Sequence, residues 1–211
     1  MSQKEPNILI IDTSTQQFSL ALMVQGNIVS EYLETETQSH AKKLTVEINN
    51  LLEKSHISFR ELSAIAINEG PGSFTGLRVA SSCAKGLAFS LNIPIIAIRG
   101  IEEYAINCFS KESNYTDVFI LINARRNNYF YTQAHLGNIL TPITFESLEQ
   151  IEKSVETSEK SLVIKSEDEG FYNVAIAKFL AKSALEKYEK KDFVDLMSFE
   201  PNYYLNTYLK K

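Results

Sequence analysis

Apolar residues at the start of the chain fall into three short runs separated by polar turns. Ile8 to Ile11 is continuously apolar and is closed by Asp12 and the polar stretch TSTQQ, the pattern of a buried strand whose end opens onto a functional surface. Phe18, Leu20, Leu22 and Val24 then alternate with smaller or polar neighbours, and Gly26-Asn27 supplies a turn before Ile28 to Leu33. Three strands in a meander are predicted. From Ser39 the period lengthens, with Leu44, Ile48, Leu51 and Leu52 on one helical face and Lys42, Lys43, Glu47 and Glu53 elsewhere. Ser63 to Ile67 returns to strand, a glycine-rich turn and a helix follow, and Ile93 to Ile98 is another buried strand. The predicted order is βββαβαβ.

The second half repeats the opening pattern. Shifted by 111 residues, ILIIDTSTQQFSLALMVQGNIV lies over FILINARRNNYFYTQAHLGNIL. Ile10 meets Leu121, Asp12 meets Asn123, Phe18 meets Tyr129, and Gly26-Asn27 meets Gly137-Asn138 without a gap. Strands in general share apolar runs, but the interval from the polar strand end to the Gly-Asn turn is harder to match by accident. After the second copy, Ser147 to Val155 reads as a short helix, Ser161 to Lys165 as a strand and Phe171 to Tyr188 as a helix, with the polar stretch 155–161 a loop within that half. The expectation is an α/β protein of two related lobes, 1–100 and 101–211, the second trimmed, with helices packed on mixed sheets.

The stretch GPGSFTGLRVASSCAKGLA, Gly70 to Ala88, could be a phosphate-binding loop, and its spacing can be tested. A Walker loop needs four residues between its glycines and a following Lys-Ser/Thr. Gly72 and Gly76 are separated by three, and Leu77-Arg78 stands in the Lys position. The dinucleotide pattern fits Gly70 and Gly72 but finds Thr75 at the third glycine, with no acidic ribose ligand near Ile95 to Ile98. What remains is a strand-to-helix turn in which Pro71 restricts φ, Gly70 and Gly72 permit unusual angles, and Ser73 or Thr75 caps the helix. A tight capped turn is favoured over anion binding. In the helix, Gly76, Ala80, Ala84 and Ala88 recur every fourth residue, leaving a nearly bare stripe that lets another helix approach closely. Because Leu77, Cys83, Leu87 and Leu91 fall beside that stripe, the expectation is a helix sandwiched between its own sheet and a partner subunit.

Composition narrows the function classes. The 211 residues carry a formal net charge of −5 with no block of like charges, which argues against holding nucleic acid or an anionic membrane by electrostatics alone. Cys83 and Cys108 are the two cysteines, without the paired spacing of a zinc site or a disulfide framework, and are read as buried free thiols. The N-terminal apolar run is too short for a signal segment and no window approaches 18 apolar residues, so a cytosolic protein without membrane attachment is expected.

ILIIDTSTQQFSLALM, GPGSFTGLRVASSCAKGLA, INARRNNYFY and the terminal PNYYL resemble the bacterial tRNA threonylcarbamoyladenosine biosynthesis protein family TsaB, also called YeaZ. The likeness covers most of 7–131 and the C-terminal motif. It implies the duplicated actin-like ATPase, or ribonuclease-H-like, fold. It also implies a non-catalytic scaffold that binds a TsaD-like catalytic subunit through its N-terminal lobe and acts with a TsaE-like ATPase in threonylcarbamoyl transfer to adenosine 37 of tRNA. The tRNA would be met only indirectly, ATP and magnesium would bind only at the complex interface, and a homodimer is expected when the catalytic partner is absent. The resemblance implies docking by the helices at 39–54 and 74–91. Carried over, the interface candidates are Phe74, Thr75, Gly76, Arg78, Ala80, Ala84, Lys85 and Ala88.

A catalyst of the TsaD type would hold a metal with two histidines four apart on the first helix, one face presenting both imidazoles. Here His40 is followed four residues on by Leu44. Asp12, Ser14 and Asn123 occupy the strand-end positions of a degenerate nucleotide site, where carboxylates in both halves would organise magnesium and phosphates. Asn123 carries no charge, so no catalytic residue, no metal site and no cofactor bound by the chain alone are expected. The alternatives are a stand-alone ATPase or small-molecule kinase using Asp12, and a self-associating module. Arg125-Arg126 in a turn reads as solvated, His56 and His135 as surface or satisfied histidines, and the aromatics Tyr129, Phe130, Tyr131, Tyr203, Tyr204 and Tyr208 as packing residues.

Overall fold

A fully apolar strand can be buried only if both faces of its sheet are covered, and the first sheet is built that way. In a computed structural model, which describes residues 5–34, 36, 40–109, 114–166, 168 and 176–204, the chain divides into two units. The first comprises 1–100 with 175–203, the second 101–174 with 204–211. The first unit holds β1 (Ile8–Asp12), β2 (Phe18–Val24), β3 (Asn27–Glu34), β4 (Ala64–Asn68) and β5 (Ile95–Ile98), in the order β3-β2-β1-β4-β5. The meander β1-β2-β3 is antiparallel, and β4 and β5 add in parallel.

Two helices cover one face: α1 (His40–Lys54) and α2 (Phe74–Leu91). Leu9, Ile11, Phe18, Leu20, Ile65 and Ile67 on that face pack with Leu44, Ile48, Leu51 and Leu52 of α1 and with Ala80, Ala84 and Ala88 of α2 in one core. On the opposite face Ser19 accepts from the Ala177 backbone N–H at 3.0 Å. That side is covered by a 3₁₀ turn (Ile176–Leu180) and a short helix (Ala181–Glu189). The chain then returns along the sheet edge, Val194 bridging to Ile95.

The second unit repeats the plan with β6 (Asp117–Asn123), β7 (Asn128–His135), β8 (Asn138–Ser147) and β9 (Ser161–Lys165), in the order β8-β7-β6-β9. Its meander is antiparallel and β9 is parallel to β6. The helix α3 (Gly100–Cys108) begins at the boundary between the units, and α4 (Leu148–Glu156) packs Ile151 against Phe119, Leu121, Tyr129 and Tyr131. The duplication is visible in the turns. Gln25-Gly26 and Leu136-Gly137 both have two positive φ values, the primed hairpin turn that follows strand twist, exactly 111 residues apart. The two copies are not identical. Asp12 pairs with Ser19 whereas Asn123 pairs with Tyr129, so the first turn of the second copy is one residue shorter.

This is the α/β architecture of two related lobes with mixed sheets expected from the sequence. Two boundaries differ. The second lobe is smaller than 101–211, because 176–203 belong to the first unit, where they supply the cover its second face requires. The helix expected over 171–188 is a 3₁₀ turn and a helix over 176–189; its first residues, 171–175, lie outside the described residues, as do Ser39 of the first expected helix and Tyr208. No helix among the described residues is long and apolar enough to cross a membrane.

Candidate functional site: the strand-end cluster and the outer face of α2

The glycine-rich stretch is a close-packed turn. Ser73 caps α2, its hydroxyl accepting from the Gly76 N–H at 3.2 Å. Gly70 sits at φ +117°. Gly72 and Gly76 are required for space: a Cβ at Gly72 would lie 2.5 Å from the Ser14 carbonyl oxygen, and one at Gly76 would strike the Thr13 carbonyl oxygen. The Ser73 N–H donates to the Ser14 carbonyl at 2.7 Å, and the Thr13 hydroxyl donates to the Gly76 carbonyl at 2.7 Å. The backbone after β1 thus packs directly against the turn.

Asp12 and Ser14 are buried in the same knot. The residue that organises it is Asn68, at the end of β4 and 2% exposed, which sequence reading missed. Its Nδ2 donates to Asp12 Oδ1 at 2.8 Å and to Ser14 Oγ at 3.0 Å, while its Oδ1 accepts from the N–H groups of Gly70 at 3.0 Å and Gly100 at 3.1 Å. One carboxamide meets four groups, which is its full capacity. The signal available in the sequence was a lone polar residue closing an apolar run, the same signal that picked out Asp12. Asn123 lies in the other unit and is exposed; its Oδ1 accepts from the Arg125 N–H at 2.7 Å, closing the turn that Arg125, Arg126 and Asn127 make with positive φ. These residues do not fit a magnesium-bound nucleotide. Asp12 is 1% exposed and engaged by Asn68, and Asn123 is an amide committed to its own turn. Among the described residues no cluster of three His, Cys, Asp or Glu side chains could hold a metal ion. Leu44, where a second histidine would be needed, points into the core at 1% exposure.

The interface candidates separate by face. Gly76, Ala80, Ala84 and Ala88 are buried, the three alanines at 1% exposure or less, and they pack on the chain's own sheet. The expectation that this bare stripe receives a partner is therefore corrected: its small side chains let α2 lie close to β1 and β4. Leu77 is buried too, and Val79, Cys83, Leu87 and Leu91 pack against the same core, so the inward arc is simply broad. The opposite arc faces outward. Phe74, Thr75, Arg78, Ser82, Gly86, Phe89 and Ser90 are exposed and Lys85 is half-buried. Phe74 is 49% and Phe89 75% exposed, large apolar surfaces at the two ends of the helix, and between them Ser82 and Gly86 carry almost no side chain. A groove of about 470 Å³ runs between α1 and α2, lined by Leu44, Thr45, Phe74, Arg78, Val79 and Cys83 among others. Burial pushes the Cys83 thiol up, away from the reactive thiolate.

Asn202 and Tyr203 of the C-terminal PNYYL motif complete this surface. The Asn202 N–H donates to the Glu69 carbonyl at 2.8 Å, and Tyr203 stacks on Phe74 with ring centroids 4.8 Å apart. Lys85 donates to the Met197 carbonyl at 3.4 Å. Arg78 and Tyr203, 125 positions apart in sequence, share the same corner, which no local periodicity could show.

Comparison with known proteins supplies the family. The model described as "TsaD: tRNA N6-adenosine threonylcarbamoyltransferase" matches residues 27–194. The tRNA threonylcarbamoyladenosine biosynthesis protein TsaB of Haemophilus influenzae is 33% identical over 126 residues, 60% of this chain and 52% of that protein. A tRNA N6-adenosine threonylcarbamoyltransferase of Christiangramia forsetii is 30% identical over 129 residues, 54% of this chain and 38% of that protein. The matched region thus spans about half the length of the curated relatives, or less. The structure of YeaZ from Pseudomonas aeruginosa superposes with a TM-score of 0.74 at 23% identity, covering 94% of this chain and 99% of that one. The chain belongs to the TsaB (YeaZ) family of tRNA threonylcarbamoyladenosine biosynthesis proteins, within the broader threonylcarbamoyltransferase family whose model it matches.

Proposed function

We infer that this protein is a cytoplasmic, non-catalytic subunit that docks on a TsaD-type threonylcarbamoyltransferase through the outer face of α2 and the groove beside α1. With a TsaE-type ATPase it supports formation of threonylcarbamoyladenosine in tRNA. The observation that carries this reading is the commitment of Asp12 to Asn68 in a knot closed by backbone. A carboxylate so held is poorly disposed to recruit a metal–phosphate complex, because each displaced hydrogen bond would leave a buried polar group unmatched. The stand-alone ATPase or kinase reading is weakened by the same geometry. The docking reading is supported by the exposure of Phe89 and Phe74 on a helix whose middle is shaved to Ser82 and Gly86. ATP or magnesium would then enter only where the partner completes a site.

Reconstitution tests the reading. Purified TsaD-type and TsaE-type subunits, a threonylcarbamoyl donor and tRNA are assayed with and without this chain. Modification should require it, and the chain alone should show no Mg-ATP turnover. Phe89→Asp should keep the thermal midpoint of the parent protein, since the ring is mostly in solvent, yet weaken binding of the catalytic subunit by on the order of thirtyfold. Undiminished modification without the chain, or ATP turnover abolished by Asp12→Ala, would overturn the proposal.

A further inference from the structure

We propose that Arg78 is a pre-aimed carboxylate clamp at the corner of the α1/α2 groove, positioned by Tyr203, and that the catalytic subunit docking there brings an Asp or Glu side chain to it. This deepens the docking reading above and rests on it. The Arg78 guanidinium carbon lies 4.1 Å from the Phe74 ring centroid and 5.7 Å from that of Tyr203, and its Nε donates to the Tyr203 hydroxyl at 3.1 Å. Stacking and the Nε bond restrict the long side chain before any partner arrives. Both terminal nitrogens, with their roughly four remaining N–H donors, have no partner among the described residues. That is the fork geometry which meets a carboxylate with two parallel hydrogen bonds.

The surroundings say what must arrive. Among the described residues, Arg78 is the one charged residue lining the groove, whose other walls include Ala41, Leu44, Phe74 and Val79. No acidic residue occurs in α2, although the whole chain carries a net charge of −5. Lys85, the other cation of α2, is already bonded to the Met197 carbonyl. A partner that covers the groove desolvates Arg78, and an uncompensated guanidinium would oppose binding unless a carboxylate meets it. A second copy is the poorer match. Its α2 has no carboxylate, and the two described acids of α1 are engaged within their own helix, Glu47 by Asn50 at 3.2 Å and Glu53 by Asn49 at 2.8 Å. Tyr203 is a positioning residue, acting through the guanidinium.

The test is titration calorimetry of the full chain against the purified TsaD-type subunit at low and high salt, with Arg78→Gln, Arg78→Lys, Tyr203→Phe and the double variant Arg78→Gln/Tyr203→Phe. Arg78→Gln should weaken binding by on the order of thirtyfold and flatten its salt dependence, while Arg78→Lys should recover only part of the loss. Tyr203→Phe, which keeps the ring and removes the acceptor, should weaken binding about threefold to tenfold, and that effect should vanish in the Arg78→Gln background. A merely structural tyrosine would weaken binding equally in both backgrounds, which would overturn its positioning role. If Arg78→Gln binds like the parent while Phe89→Asp does not bind, the clamp is wrong and the docking face stands. If neither substitution matters, or the parent chain does not bind, both fall. A homodimer of the isolated chain that Arg78→Gln dissolves would place the carboxylate on a second copy and overturn the choice of partner.

Discussion

Two glycines of one helix should respond oppositely to the same substitution. Gly76 and Gly86 both lie in α2, and replacing either by alanine removes backbone freedom from the unfolded chain, a gain of up to about 1 kcal/mol in a helix. At Gly86 nothing lies within 4 Å of the added methyl, so the gain should appear in full and the thermal midpoint should rise by about 2–4 °C. At Gly76 the methyl would collide with the Thr13 carbonyl oxygen, with Thr13 C and Ser73 Cβ at 3.2 and 3.3 Å behind it. The helix would have to retreat by about 1 Å to restore ordinary contact. That retreat overpacks a filled site, at about 1–3 kcal/mol, and stretches the bond from the Thr13 hydroxyl to the Gly76 carbonyl, worth about 1 kcal/mol. After the helical gain is subtracted, Gly76→Ala should destabilise by about 1–3 kcal/mol and lower the midpoint by about 3–10 °C. Calorimetric melting of the three proteins under one buffer decides it. A Gly76→Ala midpoint at or above the parent value, tracking Gly86→Ala, would refute the claim that this glycine exists for close backbone approach.

Two further perturbations probe the polar knots. Asn68→Ala would take one partner each from Asp12, Ser14 and the N–H groups of Gly70 and Gly100, so a loss on the order of 3 kcal/mol is expected, read as a lower urea midpoint at an unchanged slope, with no ATP turnover gained. In the second unit, burial pushes the Asp117 carboxyl up, but hydrogen bonds from Ser158, Gln133, His135 and Thr116 outweigh it and hold the group at about 2. Its folded value lies below the unfolded one of about 4, so its contribution of about 2 kcal/mol is complete above that pH and is lost as pH falls towards 2. The stability difference between the parent protein and Asp117→Asn should therefore shrink between pH 5 and pH 2.5 in urea titrations; a difference constant over that range would refute the assignment.

Much of the architecture was legible because it is local. A strand buried on both faces must be apolar throughout, and Ile8 to Ile11, Ala64 to Ile67 and Ile95 to Ile98 are. The hairpin turns announce themselves through Gly26 and Gly137, the only residue type that takes a positive φ without cost. The repeat survives in sequence for the same reason, since both meanders need the same polar strand end and the same turn. The short α4 follows a Ser147 cap that is equally local, its hydroxyl accepting from the Gln150 N–H.

What the sequence could not decide was direction. Gly76, Ala80, Ala84 and Ala88 specify a helix that something approaches closely, yet periodicity does not say whether that something is a foreign helix or the chain's own sheet. Only the tertiary structure turns the stripe inward and leaves Phe74, Arg78, Ser82 and Phe89 outside. Asn68 and Tyr203 were hidden for a related reason. Their roles arise from hydrogen bonds to residues 56 and 125 positions away, and a carboxamide or a phenol carries no mark of which distant partner will satisfy it. The order of apolar and polar residues determined which segments become strands and helices, because that choice is settled by neighbours a few residues apart. Which face of α2 is spent on folding and which is left for binding was settled by the sheet and the returning C-terminal segment, which close around it from far along the chain.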